Sequence, residues 1–258
     1  MSVVMRTLRS LMLYTLPLSA VAVPAFAADV DATLQWYRKA VLSTPVSGVV
    51  TAVNIAQGDK VKKGQVLVQL DDRVYKAKVE AQKAALKRAE NNRDEAQREL
   101  DRVQELYDRT VLAQHDLQVG IIQRDAAVAE YHEAVAALAK AEQNFEYSAI
   151  RAPFSGYVAS LQTHQGQVIV SDLQAAPMVK VVEAGRMLAR AAVAETELAK
   201  LKMGAGAKVT VAGKTYSAKV DRIALEPVKA GTTQYHVYFV FDTGGRLYRS
   251  GQTATVSY

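Results

Sequence analysis

The chain contains no cysteine, and this absence excludes several classes of protein at once. A disulfide framework, a thiol nucleophile and a zinc site built on thiolates all require cysteine. Histidine is scarce as well, and no two histidines stand four residues apart as a helical metal pair would require. The four are His115, His132, His164 and His236. The sequence therefore predicts no metal site and a fold stabilised by packing alone.

Motifs of catalysis and of nucleic-acid binding are also missing. No Gly-rich phosphate loop follows a strand, and no Ser, His and Asp stand in the context of a catalytic triad. The net charge is only +6 and is spread along the chain, without a basic stripe interleaved with aromatic residues. We therefore expect a non-catalytic protein with no cofactor and no nucleic-acid partner.

The first 27 residues have the pattern of a secretory signal. Arg6 and Arg9 supply a positive start without any acid, and an apolar run follows over Leu11–Val23. This run of 13 residues is too short to span a bilayer, which needs about 20. Small residues around Ala27 favour cleavage after that position. We expect an exported chain with a cleaved signal at 1–27, an uncleaved membrane anchor being the alternative.

An internal repeat is the most informative pattern. Residues 45–50 and 153–158 share Pro, Ser, Gly and Val in one register 108 residues apart, and a further glycine follows each unit at the same distance. Each unit reads as short strands with glycine at strand entries and turns. These glycines are Gly48, Gly58, Gly64, Gly156 and Gly166. One such unit is too small to bury a hydrophobic face by itself, so the two units are expected to pair into one sandwich.

The segment between the repeat units, 72–148, is predicted to be helical. It contains no proline, only one glycine (Gly120), and many strong helix formers. Apolar residues alternate at spacings of three and four along two seams, with a break at 109–115. The first seam holds Tyr75, Val79, Leu86, Ala89, Ala96, Leu100, Val103 and Tyr107, with Gln82 and Arg93 as polar exceptions. The second holds Leu117, Ile121, Val128, Tyr131, Val135, Leu138 and Phe145, with Arg124 and Glu142 as exceptions. The spacing predicts an antiparallel coiled-coil hairpin, or alternatively one continuous helix that dimerises.

Beyond the second repeat unit the pattern changes to short alternating β-runs. They are separated by turns, and a short helical stretch lies at Glu195–Met203 before Gly204. About six strands with one helix predict a small closed barrel. The whole chain is thus expected to be mixed α and β and elongated. Its predicted parts are half-sandwich units at 38–71 and 149–184, a helical hairpin at 72–148 and a β-barrel at 185–258.

Two segments of the chain resemble the lipoyl half-motifs of the HlyD-like membrane fusion proteins, which are periplasmic adaptors. The first is Ser47-Gly48-Val49-Val50 through Gly58-Asp59-Lys60-Val61-Lys62-Lys63-Gly64-Gln65-Val66-Leu67, and the second is Ile150-Arg151-Ala152-Pro153-Phe154-Ser155-Gly156. The segments Val193–Glu195, Leu201–Gly204 and Leu247–Gly251 are similar to the barrel domain of that family. The resemblance covers residues 38–258. Only residues 28–43 lie between the predicted signal and the first half-motif, so the resemblance implies a compact adaptor.

The resemblance implies a role and partners. Such an adaptor links an inner-membrane transporter to a TolC-type outer-membrane channel, and several copies assemble into a tube in the periplasm. A signal without an anchor resembles the adaptors of resistance-nodulation-division (RND) pumps, with an ABC or major-facilitator exporter as the alternative. Arg102 and Leu106 match the family's hairpin-tip motif, whereas Ala113 stands where the family has serine. A hydroxyl hydrogen bond worth about 1 kcal/mol would then be missing from the channel contact.

Two competing interpretations fit the sequence less well. A lipoyl or biotinyl carrier subunit shares the half-motif, but Leu70-Asp71-Asp72-Arg73 stands where a carrier would present its modified lysine. A purely structural coiled-coil protein would leave the C-terminal β-runs unexplained.

Overall fold

A computed structural model describes residues 29–171 and 176–258, and the predicted signal at 1–27 lies outside these residues. The described chain forms two four-stranded sheets, two long helices and a closed six-stranded barrel. None of the helices in these residues is long and apolar enough to cross a membrane.

The secondary-structure elements follow one another along the chain with short connections. They are β1 (Asp29–Trp36), β2 (Lys39–Leu42), β3 (Gly48–Val53), β4 (Lys60–Val61), β5 (Val66–Leu70), α1 (Arg73–Asp108), α2 (Gln114–Tyr147), β6 (Ala149–Arg151), β7 (Gly156–Leu161), β8 (Val168–Ile169), β9 (Val179–Glu183), β10 (Arg186–Ala194), α3 (Glu195–Leu198), β11 (Gly206–Val211), β12 (Lys214–Pro227), β13 (Gln234–Asp242) and β14 (Thr253–Ser257).

The sandwich has an internal two-fold symmetry that follows the sequence repeat. Its sheets are ordered β2-β9-β7-β4 and β6-β5-β3-β8. The Gly58 N–H donates to the Val158 carbonyl at 2.8 Å, and the Gly166 N–H donates to the Val50 carbonyl at 2.8 Å. Each of these bonds maps onto the other by the 108-residue shift. The two repeat units therefore pair as equals, as the sequence predicts.

The pairing of the units also builds the sandwich core. Val50 and Val158, which are equivalent in the repeat, are each 1% exposed and belong to the same buried cluster. Leu67, Val68 and Leu70 from β5 belong to the same cluster. Because each of the two sheets combines strands from both units, neither unit could exclude water from this cluster alone.

Helices α1 and α2 run antiparallel and pack against each other. A Cβ at Gly120 would lie 3.4 Å from Leu100 Cδ1, and the guanidinium of Arg93 lies 4.3 Å from the ring centre of Tyr131. At the base, the Leu70 N–H donates to the Ser148 carbonyl at 2.8 Å. The 72–148 segment thus leaves and re-enters the sandwich at adjacent points.

The burial pattern confirms the first predicted seam and corrects the second at two positions. Val79, Ala89 and Leu100 of the first seam are buried. In α2, however, Val135 is 40% exposed, and Ala141 is buried in place of its neighbour Glu142. The other apolar positions of the second seam are partly buried as predicted, and the buried Gly120 and Ala141 are two small residues that the prediction did not include.

The closed barrel has the strand order β1-β10-β13-β12-β11-β14, and this corrects the predicted barrel range of 185–258. Strand β1 lies outside that range, yet it pairs with β10 (Thr33 with Arg190) and with β14 (Val30 with Val256). The C-terminal segment supplies only five of the six strands. Without β1, the facing edges of β10 and β14 would have unpaired backbone groups. The predicted helix at Glu195–Met203 is shorter, since α3 ends at Leu198.

Candidate functional site

The connection between α1 and α2 lies at the end of the helices away from the sandwich. It includes Thr110, which has a positive φ of 64°, and α2 begins after Ala113 at its N-cap position. The Ala113 N–H donates to Asp116 Oδ2 at 3.2 Å, but the alanine side chain has no oxygen that could accept a bond in return. Half of a capping box is therefore present at this tip.

The two matched tip residues lie on one face of α1, four positions apart. Arg102 donates from Nε to Glu99 Oε2 at 3.0 Å, and its side chain is 65% exposed. This bond raises the pKa of Arg102 and lowers the pKa of Glu99. Leu106 is half-buried, whereas Ala113 is exposed. Because an exposed ion pair of this kind is weak, the guanidinium can exchange its partner at little cost.

The repeat glycines differ in what they do. Gly58, Gly64 and Gly166 have positive φ values of 95°, 81° and 84°, and a Cβ at these positions would meet no atom within 4 Å. A Cβ at Gly156 would instead lie 1.9 Å from the Val182 carbonyl oxygen. At the equivalent Gly48, the nearest atom would be 3.6 Å away. The turns thus need glycine for backbone conformation, whereas Gly156 is needed for close strand approach.

An ion pair and a hydrogen bond stabilise the point where the helices leave the sandwich. Arg73 Nη2 donates to Asp71 Oδ2 at 2.6 Å, and this bond lowers the pKa of Asp71 to about 2. The Tyr75 hydroxyl donates to the Ser47 carbonyl at 2.6 Å, which connects the first turn of α1 to the first repeat unit. A structural ion pair thus occupies the place where a carrier domain would present its lysine.

The sandwich and the barrel are joined by two short linkers, β1 to β2 and β9 to β10, with a shared carboxylate between them. Glu183 Oε1 accepts from Arg186 Nη2 at 2.6 Å, and Glu183 Oε2 lies 3.6 Å from Arg38 Nε. The hydrogen bond to Glu183 raises the pKa of Arg186, whose guanidinium lies 4.2 Å from the ring centre of Tyr37. No sequence pattern indicates this cluster, because its members come from segments far apart in sequence and follow no period.

Within residues 29–171 and 176–258, no group of three or more His, Asp and Glu side chains gathers at distances suited to a metal ion. The described residues also contain a helical tip, a symmetric sandwich and a two-linker junction.

Comparison with known proteins connects this architecture to a family. The chain is 29% identical over 238 residues to the macrolide export protein MacA of Yersinia pestis, a match that covers 85% of this chain and 64% of that relative. It is 28% identical over 179 residues to the efflux pump periplasmic linker BepD of Brucella suis, covering 68% of this chain and 45% of the relative. The chain thus spans less than two thirds of the length of these curated relatives.

A solved structure shares the fold. The membrane fusion protein Spr0693 from Streptococcus pneumoniae R6 superimposes with a TM-score of 0.65 and 18% identity, covering 90% of this chain and 98% of that one. Residues 38–182 match the family described as RND MFP, barrel-sandwich hybrid domain. That range spans both repeat units and the helices between them, more than half of the sequence. The chain therefore belongs to the barrel-sandwich hybrid family of RND membrane fusion proteins.

Proposed function

We propose that this protein is a non-catalytic periplasmic adaptor that links an inner-membrane transporter to a TolC-type outer-membrane channel for efflux or secretion. The observation that carries the proposal is the family match over 38–182, which includes both half-sandwich units and both long helices. The names of the relatives, an export protein and a periplasmic linker of an efflux pump, support the same role.

The two helices suit a bridging role as a coiled-coil hairpin. Helix α1 has 36 residues and α2 has 34, so each arm extends about 50 Å at 1.5 Å per residue. Buried and half-buried positions recur along α1 at spacings of three and four residues, which is typical of a coiled-coil seam. Such a hairpin places its tip far from the sandwich while both of its ends stay anchored there.

The tip is proposed to contact the channel through Arg102 and Leu106. The exposed guanidinium can form ion pairs with the partner, and the half-buried leucine adds apolar contact area. Ala113 adds no hydroxyl to this contact. The sandwich and the barrel are proposed to form the side-by-side contacts of an oligomeric tube, because their broad faces lie at one level of an elongated molecule.

An RND pump is the proposed inner-membrane partner. The matched family is that of RND membrane fusion proteins, which supports this class. An ABC or major-facilitator exporter is the competing partner. Affinity purification of the tagged adaptor from its native cells, followed by mass spectrometry of the transporter that co-purifies, distinguishes these classes.

Charge reversal at the tip tests the adaptor role. Arg102→Asp should abolish transport and cross-linking to the channel while the protein stays exported and folded, because an unpaired charge in a docking contact weakens it strongly. Lys83→Asp is the matched control, since Lys83 pairs with Glu80 at the same three-residue spacing but lies near the base of α1. Loss of function in both variants, or in neither, contradicts tip docking.

The absence of native cysteine allows a clean test of assembly. Cysteines introduced at Lys214 or Lys219, which are exposed on the barrel strand β12, should give cross-linked ladders of several copies in cells that contain the pump. A chain that stays monomeric with its pump and channel co-expressed would exclude the tube.

A further inference from the structure

Two cavities lie side by side where the outer face of one sandwich sheet meets the barrel. Their volumes are about 680 Å³ and 720 Å³, within the range of small-molecule sites. Trp36, Lys180 and Ser250 line both of them. Residues from the end of β1, from β9 and from the loop before β14 thus converge on one place.

The larger cavity is lined by cations without a carboxylate among its lining residues. Arg38, Lys39, Lys180 and Arg222 all line it. The two arginines already have carboxylates nearby, because Arg38 lies 3.6 Å from Glu183 and Arg222 lies 3.5 Å from Asp221. Neither lysine forms an ion pair with any residue in the part of the chain that the structure describes. The cavity therefore has a surplus of positive charge.

The direction of Lys180 follows from the alternation of strand β9. Its neighbours Val179 and Val181 are buried in the sandwich core, so the side chain of Lys180 lies on the opposite face of the sheet, toward the barrel. Lys180 is half-buried there. Partial burial of a cation without a partner is unfavourable, and an anion bound beside it would offset that cost.

The same cavity offers an apolar and aromatic surface next to the cations. Leu188 lines the cavity but is only 1% exposed, so it is part of the wall and offers almost no contact area of its own. Trp36 and Tyr238 add aromatic rings, and the guanidinium of Arg222 lies 4.8 Å from the ring centre of Tyr238. A ligand with an apolar ring and one anionic group would match both surfaces.

We propose that this junction binds a small amphipathic organic anion, an aromatic carboxylate or sulfonate, with Lys180 receiving the anionic group and Trp36 and Tyr238 contacting the ring. The site does not depend on the adaptor role, because it lies at the barrel end of the sandwich, away from the helical tip. Binding can therefore succeed or fail independently of transport.

Trp36 is the only tryptophan in the chain, so its fluorescence reports directly on this junction. We would titrate the protein with 1-anilinonaphthalene-8-sulfonate and follow both quenching of Trp36 and probe emission. N-phenyl-1-naphthylamine, which lacks the sulfonate, is the matched uncharged probe. The anion should quench Trp36 saturably, bind at least about fivefold more tightly than the uncharged probe, and weaken with added salt.

The substitution Lys180→Gln should weaken anion binding about fivefold or more, whereas Lys180→Arg should retain it. Lys214→Gln, at an exposed lysine on the barrel, is the control and should change nothing. Thermal melts confirm that the variants fold, and the salt and probe comparisons on the unaltered protein need no variant at all. Equal affinity for both probes, no quenching of Trp36, or equal effects of Lys180→Gln and Lys214→Gln would each overturn the proposal and indicate apolar adsorption only.

Discussion

Alanine substitution at Gly156 should destabilise the sandwich, whereas the same substitution at its repeat partner Gly48 should be tolerated. The new Cβ at Gly156 would lie 1.9 Å from the Val182 carbonyl oxygen and 2.8 Å from the carbonyl carbon. Ordinary carbon–oxygen contacts are about 3.3 Å or longer. Strand β7 or β9 must therefore move by more than an ångström at the point where Gly156 pairs with Glu183.

The expected loss follows from that displacement. Overpacking against fixed backbone costs about 1–3 kcal/mol, and a disrupted strand-to-strand hydrogen bond adds about 1 kcal/mol. The free energy of unfolding of the Gly156→Ala variant should fall by about 3 kcal/mol, which corresponds to a Tm lower by roughly 6–12 °C. At Gly48 the nearest atom, Leu70 Cβ, would be 3.6 Å away. Gly48→Ala should therefore change the stability by less than about 1 kcal/mol, with reduced backbone entropy in the unfolded chain favouring the variant.

Thermal unfolding of both variants and the unaltered protein, followed by circular dichroism and calorimetry, measures this difference. The helical signal should persist in Gly156→Ala up to its lowered transition, since the substitution lies in the sandwich. Equal shifts in Tm for the two glycine variants, or an unchanged Tm for Gly156→Ala, would refute the close-approach argument.

Three further changes test other parts of the molecule. Ala113→Ser should complete the capping box with Asp116 and raise the stability of the helical pair by about 1 kcal/mol, seen as a higher Tm of the helical signal; no gain would mean that the tip is not capped in this way. Deletion of 76–147, closed by a short turn, should leave a β protein with a cooperative thermal transition, because the segment's two ends are adjacent; a non-cooperative melt contradicts this. Asp71→Asn should lower the stability at neutral pH by removing the bond to Arg73. Because the folded-state pKa of Asp71 is lowered to about 2, the difference from the unaltered protein should disappear in denaturation curves as the pH falls from about 4 toward 2, and a pH-independent difference would contradict it.

Much of this architecture is readable from the sequence, because its causes are local or periodic. The repeat at 45–50 and 153–158 predicts two units that pair, since neither can bury a face alone, and the bonds of Gly58 and Gly166 confirm that register. The long segment between the units, free of proline, predicts helices. Turn glycines are also predictable, because glycine adopts a positive φ without the steric cost that other residues have.

Other features required the tertiary structure, because they depend on which distant segments meet. Strand β1 closes the barrel only because β10 and β14 leave a gap of one strand between them, and no local pattern in Asp29–Trp36 indicates that partner. The junction cations Arg38, Lys180 and Arg222 come from three separate segments. Gly48 and Gly156 occupy the same place in the repeat, yet only Gly156 faces a carbonyl oxygen at a distance that excludes a side chain. Glycine at the same place in the repeat thus has a different role in each unit, because strand β9, which packs against Gly156, is not part of the repeated motif.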